Sequence, residues 1–424
     1  MSAAERKRSP RARKRKRGAL LALPLTAVLA GVLLAALPGA DDDREGGAAC
    51  APRKVDSWTP DGGATGEFAR YGNDAARFDD WTGGDGTHSV RLPDGRLLWL
   101  FSDTFLGQVH GPPNLSGQPH AWRDATAPFV RNSAVVTDRS GALERTLAAP
   151  LLPDPAAGQW RWPVAAKVEP RSPGSAEKVV RVLIWTRATG TGPWIYGLPL
   201  ATEVATLSLP DLRVEGVVKV SDQSAVTDPA ERILYGTTAV HGAKYTYVFG
   251  GNDGKRSVRP ASDAFVARVP HGRLAEPGAW RYWNGRAWGT GRPVPVLGDG
   301  AKKGVGSAYT VVRDNGTWVL FTMAAGTEGL STITSYWACS PTGPWHGPTK
   351  GFAPPLPPDS EPRQSTAVYN PQAHPALSAD DGRLLLSYDV NWLDPDPQVA
   401  QSHVNRNVSL YRPRFVRLRL GPAD

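Results

Sequence analysis

Beyond residue 58 the chain repeats one pattern: an apolar, β-favouring run, a turn built on Gly with Asp, Asn or Lys, then a second such run. The turns fall near Asp94-Gly95, Gly174 to Lys178, Gly242 to Lys244, Asp314 to Gly316 and Asp380 to Gly382. β-Branched and aromatic residues predict strands over Leu97 to Phe101, Ser133 to Thr137, Val179 to Thr186, Tyr245 to Phe249, Ala264 to Val269, Tyr309 to Val312, Trp318 to Met323, Ile333 to Ala338, Leu384 to Tyr388 and Phe415 to Leu420. Windows with helical periodicity are few, and Gly or Pro interrupts most of them. Hairpins recurring at roughly 60 to 85 residues predict an all-β fold, a five-bladed β-propeller with long inserted loops. The predicted blades run from about Thr87 to Leu147, Trp160 to Leu209, Ile233 to Tyr282, Val305 to Trp345 and Ala373 to Leu420. The late strand at Phe415 to Leu420 is expected to pair with early chain and close the ring.

The amino terminus reads differently. Residues 1–17 form a basic segment, and residues 18–40 an uncharged stretch rich in Leu and Ala. That stretch borders on the ~20 residues that span a bilayer. A cleaved signal peptide and an uncleaved anchor with its positive side inside both fit. Either sends the rest of the chain out of the cytoplasm, to an extracellular or membrane-tethered location. Residues 41–57 read as a flexible linker and 58–424 as the propeller domain. The net charge of +9 owes nine positive residues to Arg6 through Arg17, against Glu5, so the remainder carries about +1. The high pI therefore belongs to targeting, and no nucleic-acid partner is expected. Cys50 and Cys339 are the only cysteines. In an exported protein they either bridge or remain as two free thiols.

The richest segment for chemistry is "WTGGDGTHSVRLPDGRLLWLFSDTFLG", Trp81 to Gly107. Asp85 and Asp103 each lie nine residues from Asp94 in the turn. An antiparallel hairpin brings them to the same height at the edge away from that turn. Two carboxylates at one rim suit glycoside hydrolysis, one as proton donor and one as base or nucleophile. The plain alternative is a Gly-Asp-Gly turn and a Ser-Asp-Thr strand end capping backbone amides. The same hairpin reasoning sends His374, in "NPQAHPALS", and Asn391, in "SYDVN", to one rim, with Tyr369 and Asn370 nearby. Fifteen tryptophans offer stacking faces for sugars. Trp81, Trp122, Trp162 and Trp392 are the rim candidates, while Trp99, Trp185, Trp318 and Trp337 read as core. No Cys/His cluster has zinc spacing. Calcium at the axis lacks a twelve-residue loop to mark it, so no cofactor is expected.

The segment "GGDGTHSVRLPDGRLLWLFSDTFLG" resembles the opening of secreted actinobacterial five-bladed propellers of the DUF4185/DUF5005 type. "ILYGTTAVHGAKYTYVFGG", "SYWACSPTGPW" and "YNPQAHPALSADDGRLLLSYDVN" extend the resemblance over nearly all of Trp58 to Leu420. Some such proteins are similar to endo-acting D-arabinan hydrolases, and the wider architecture is similar to arabinanase-like glycoside hydrolases. The resemblance implies a catalytic carboxylate at Asp85, a second acid at Asp103, and a Glu acid on a middle blade, for which Glu169, Glu328 and Glu361 are candidates. The expected function is hydrolysis of a furanoside-containing polysaccharide such as arabinan, by a monomer with an oligosaccharide or polysaccharide partner. Asp85 is the expected base or nucleophile and Asp103 the acid. His374, Asn391, Trp81, Trp122 and Asn370 would contact sugar. A non-catalytic carbohydrate-binding propeller is the alternative, and a surface adhesion scaffold a third reading.

Overall fold

A computed structural model of the protein describes residues 49–78, 80–194, 196–252, 262–298, 304–323, 332–358, 366–394 and 396–423. The basic and apolar amino-terminal segments lie outside the described residues. The described residues cluster as one compact unit. Among the described residues it is all-β apart from two α-helices and short 3-10 turns.

Five main antiparallel sheets follow one another along the chain. The first contains His88–Arg91, Leu97–Phe101, Ser133–Thr137 and Leu143–Thr146. The second contains Gln159–Pro170, Lys178–Ala188, Leu198–Leu207 and Val214–Asp222. Leu234–His241 opens the third, which continues through Tyr245–Gly251, Ala264–Pro270 and two short outer strands. Thr310–Asp314, Thr317–Met323 and Ile333–Ala338 form the fourth. The fifth joins Thr366–Ala373, Leu384–Trp392 and Arg414–Pro422 to the early strand Arg53–Pro60. That early strand lies antiparallel to Arg414–Pro422, with Trp58 opposite Leu418. The expected pairing of late with early chain is therefore present, and the linker expected over residues 41–57 gives way to a strand from Arg53.

Packing explains the order. Alternate side chains of each strand leave the sheet on opposite faces, so a sheet buried on both sides needs two neighbours. One apolar core joins the first sheet to the second, through residues such as Leu98, Leu100, Val182 and Leu207. Others join second to third, third to fourth and fourth to fifth. A last core returns from Leu385 and Phe415 of the fifth to Leu97, Trp99 and Phe101 of the first. The cycle of cores is closed.

Helix α1, Gly62–Gly72, lies in that last core, although the sequence reading expected almost no helix. Four glycines weaken its intrinsic propensity. Tertiary contacts override this. Asp61 caps the helix by accepting from the Ala64 amide at 2.8 Å. Phe68 then packs among Trp81, Trp99, Phe101 and Phe415, with ring centroids 5.0–6.0 Å away. Burial of one such ring contributes about 2–3 kcal/mol. The second helix, α2, spans Pro397–Arg406 and is capped by Asp396. Cys50 and Cys339 are disulfide-bonded, tying the chain before the first strand to the end of the fourth sheet.

Candidate functional site

The hairpin of the first sheet is bent where its two acids face each other. Beyond His88–Arg91 and Leu97–Phe101 its strands continue into a smaller sheet as Asp80–Gly84 and Thr104–Gly107. At the bend the Asp85 amide donates to the Asp103 carbonyl at 3.1 Å, and the Ser102 amide to the Asp85 carbonyl at 2.7 Å. The two aspartates are thus direct cross-strand partners, as their equal spacing from Asp94 predicts. Gly86 makes the bend: its φ is +63°, and a Cβ there would stand 2.5 Å from Ser102 Oγ. Its freed amide points at a third acid.

That acid is Asp389, from the second strand of the fifth sheet. Its carboxylate accepts from the Gly86 amide at 2.7 Å, Thr87 Oγ1 at 2.9 Å and Asn370 Nδ2 at 3.2 Å. Asn370 sits at a register shift between Tyr369 and Gln372 with φ +49°. This bulge turns two adjacent side chains to the same site. The neighbouring Tyr369 hydroxyl donates to Asp85 Oδ2 at 2.9 Å, and the Tyr411 hydroxyl bonds the same carboxylate. Asp103 is held differently. Arg131 Nη1 lies 3.1 Å from Asp103 Oδ2, and Trp162 Nε1 donates to Oδ1 at 2.8 Å. Arg131 also covers the Trp160 ring at 4.5 Å.

Electrostatics separate the three acids. Burial, then the charges of Asp103 and Asp389, push Asp85 well above the ordinary carboxylate range, against the two tyrosine hydroxyls. Burial lifts Asp389 to about 7 despite its three donors. Burial also raises Asp103, but Arg131 and Trp162 pull the other way. Asp103 and Arg131 stay accessible, with side chains 17% and 38% exposed. Asp389 is 1% exposed. The arrangement offers a proton-holding carboxyl beside an ion-paired carboxylate that solvent reaches.

Several expected contacts fall elsewhere. His374 is 1% exposed and bridges two sheets, Nδ1 2.7 Å from Ser89 Oγ and Nε2 2.8 Å from Ser387 Oγ. Burial depresses it to about 3, so it is a neutral core latch rather than a sugar contact. Asn391 does not share its height: Asn391 pairs with Ala367, while the His374 amide bonds the Leu385 carbonyl. Counted from Asp381, His374 and Asn391 are seven and ten residues away, and the 3-10 turn Pro375–Leu377 shifts the register further. Trp81, 1% exposed, is core. Trp392 is also core and stacks on His403 at 4.1 Å. Trp122 stacks on His110 at 4.3 Å, in a separate two-stranded sheet. Glu169 is sealed by Arg181 and the Gly272 and Leu274 amides, which excludes it as a mobile acid. Glu328 and Glu361 lie outside the described residues.

Asp389, Tyr411 and Arg131 were missed as site residues. Asp389 carried a signal in "SYDVN", where the shift at Asn370 diverted the reading to its neighbour. Among the described residues no group of three or more His, Cys, Asp or Glu side chains is arranged to hold a metal ion. A cleft of about 410 Å³ on the third sheet, beside Tyr245, Arg268 and Trp288, contains none of the three acids.

Comparison with known proteins now adds a family. The model of a domain of unknown function, DUF5005, matches residues 68–420, which include all three acids. The chain belongs to the DUF5005 family. No curated protein matches this DUF5005 chain. Among solved structures it is similar to a Bacteroides ovatus protein named provisionally as a hydrolase, with 17% identity, TM-score 0.61, and coverage of 85% of this chain and 90% of that one. It is more distantly similar to two α-L-arabinofuranosidases. The Podospora anserina enzyme, solved with cellotriose, has 13% identity, TM-score 0.46 and coverage of 81% and 93%. The Clostridium thermocellum enzyme has 14% identity, TM-score 0.42 and coverage of 84% and 97%.

Proposed function

We propose that this DUF5005 protein is an exported, five-bladed propeller that hydrolyses a furanoside-containing polysaccharide such as arabinan. In this reading the five main sheets are blades and residues 18–40 serve as signal peptide or membrane anchor. The mature domain acts outside the cytoplasm as a monomer without a cofactor. The observation that carries the reading is the convergence of Asp85, Asp103 and Asp389, with Asp103 open to solvent.

The electrostatics favour roles opposite to those expected from sequence. Asp85 holds a proton because burial and two neighbouring acids disfavour its charge. It donates that proton to the glycosidic oxygen as the bond to the anomeric carbon breaks. Asp103, whose negative charge Arg131 and Trp162 favour against burial, attacks that carbon or takes a proton from the attacking water. Tyr369 and Tyr411 orient Asp85, and Asp389 sustains its proton.

Digestion of arabinan and arabinogalactan by the full chain, beside Asp85→Asn, tests the proposal. New reducing ends from the parent, lost in the variant, support it. The ion pair between Asp103 and Arg131 favours a second reading, a non-catalytic glycan-binding propeller, because a locked acid binds polar ligands without chemistry. Binding by both proteins with no reducing ends from either selects that reading.

A further inference from the structure

Two guanidinium groups lie beneath the segment that carries Asp85, and among the described residues no acid pairs with them. Arg123 is 2% exposed, and Arg412, next to Tyr411, is 5% exposed. Both donate to one carbonyl, that of Thr82: Arg123 Nη2 at 3.3 Å and Arg412 Nε at 2.7 Å. With 3.3 and 2.7 Å to a shared oxygen, these nitrogens stand no more than about 6 Å apart. Their other partners are neutral. Arg123 reaches the Val404 carbonyl and Asn405 Oδ1, each at 3.5 Å, and covers the Phe105 ring at 4.5 Å. Arg412 donates to Asn73 Oδ1 at 2.9 Å. Among the described residues no carboxylate pairs with either group. Arg123 Nε and Arg412 Nη2 are buried without any acceptor.

Buried charges are ordinarily paired or hold an ion, because desolvation of a lone charge outweighs what neutral hydrogen bonds return. Guanidinium does not escape by losing its proton near neutral pH. Burial brings Arg412 down only to about 9. A water would accept the spare N–H groups and leave both charges uncompensated. Both groups lie against glycines, whose missing side chains make the room the guanidinium groups occupy. A Cβ on Gly72 would stand 2.7 Å from Arg412 Nη2, and one on Gly83 2.8 Å from Arg123 Nη2.

We propose that Arg123 and Arg412 together hold a small monovalent anion of the halide class, with Arg123 Nε and Arg412 Nη2 as its donors. The anion offsets one of the pair's two charges and fastens Thr82 to Asp85 against Tyr411, whether or not the site above performs hydrolysis. Thermal unfolding of the full chain tests this at constant ionic strength, with sodium gluconate replaced stepwise by sodium chloride or bromide. The expected result is a saturable rise in Tm of about 3 °C at a halide concentration a hundredfold above the dissociation constant. Arg412→Gln should lose the halide response whatever its own Tm. If that variant does not fold, diffraction from parent crystals grown in bromide decides, with an anomalous peak expected between the two guanidinium groups. Equal Tm in gluconate and halide, or no bromide peak there, overturns the proposal.

Discussion

Replacing Asp389 by Asn should change how stability depends on pH, by an amount that its surroundings set. Asp389 is 1% exposed, and burial lifts its carboxyl from 3.8 to about 7. Below pH 3.8 it carries a proton whether the chain is folded or not. Between 3.8 and 7 only the folded chain keeps that proton, so each pH unit removes about 1.4 kcal/mol of stability. Above 7 both states are ionised and the loss is complete, at about 4 kcal/mol. The buried His88 and His374, held near 3, act in the opposite direction: stability falls as pH drops below ~6.5, where the unfolded chain binds protons that the fold excludes. The readout is therefore parent minus variant, in which the histidine terms cancel. Asn keeps an acceptor for the Gly86 amide or Thr87 hydroxyl and misplaces one donor, a pH-independent penalty of about 1–3 kcal/mol. Urea unfolding at pH 4 to 8 under non-reducing conditions gives both curves. The difference should decline by about 4 kcal/mol over that range, most of it below pH 7. Parallel curves would show that the carboxyl titrates normally and would refute the electrostatics assigned to all three acids.

Other consequences are as direct. His374→Ala leaves Ser89 without its partner, leaves Ser387 only the Gln372 carbonyl and opens a cavity beside Trp99, so urea titration should show a loss of about 2–4 kcal/mol, with glycan binding retained below the transition. Reduction of Cys50–Cys339 should destabilise the chain by about 2–5 kcal/mol, read as a lower Tm with dithiothreitol. Gly86→Ala forces a side chain into a positive-φ position against Ser102 and should lower stability by about 1–3 kcal/mol, while removing whatever activity the parent shows on arabinan. Arg131→Gln withdraws the cation from Asp103, so the acidic limb of the kcat/KM profile should move to higher pH; an unmoved limb would dismiss Asp103 as the group that must be ionised.

Much of this was legible in sequence because hairpins are local. Leu97–Phe101, Ser133–Thr137 and Ile333–Ala338 begin and end as their β-branched and aromatic runs predict. Counting outward from Asp94 sufficed to set Asp85 opposite Asp103. In the fifth sheet His374 and Asn391 lie seven and ten residues from Asp381, so an equal count does not align them, and the 3-10 turn shifts the register further. Helix α1 was hidden because its glycines argue against helix and only docking of Phe68 favours it. Arg131, Tyr411 and the buried Arg123 and Arg412 had no local signature at all. Their roles depend on partners up to 339 residues away, as between Arg412 and Asn73.

The sheet that carries Asp389 draws on chain far apart in sequence, since Arg53–Pro60 pairs with Arg414–Pro422. During synthesis, then, the earlier strand has no partner until residues 414–422 are made. The acid cluster cannot mature on a nascent chain that stops short of them, and a chain cut before Arg414 emerges unlatched.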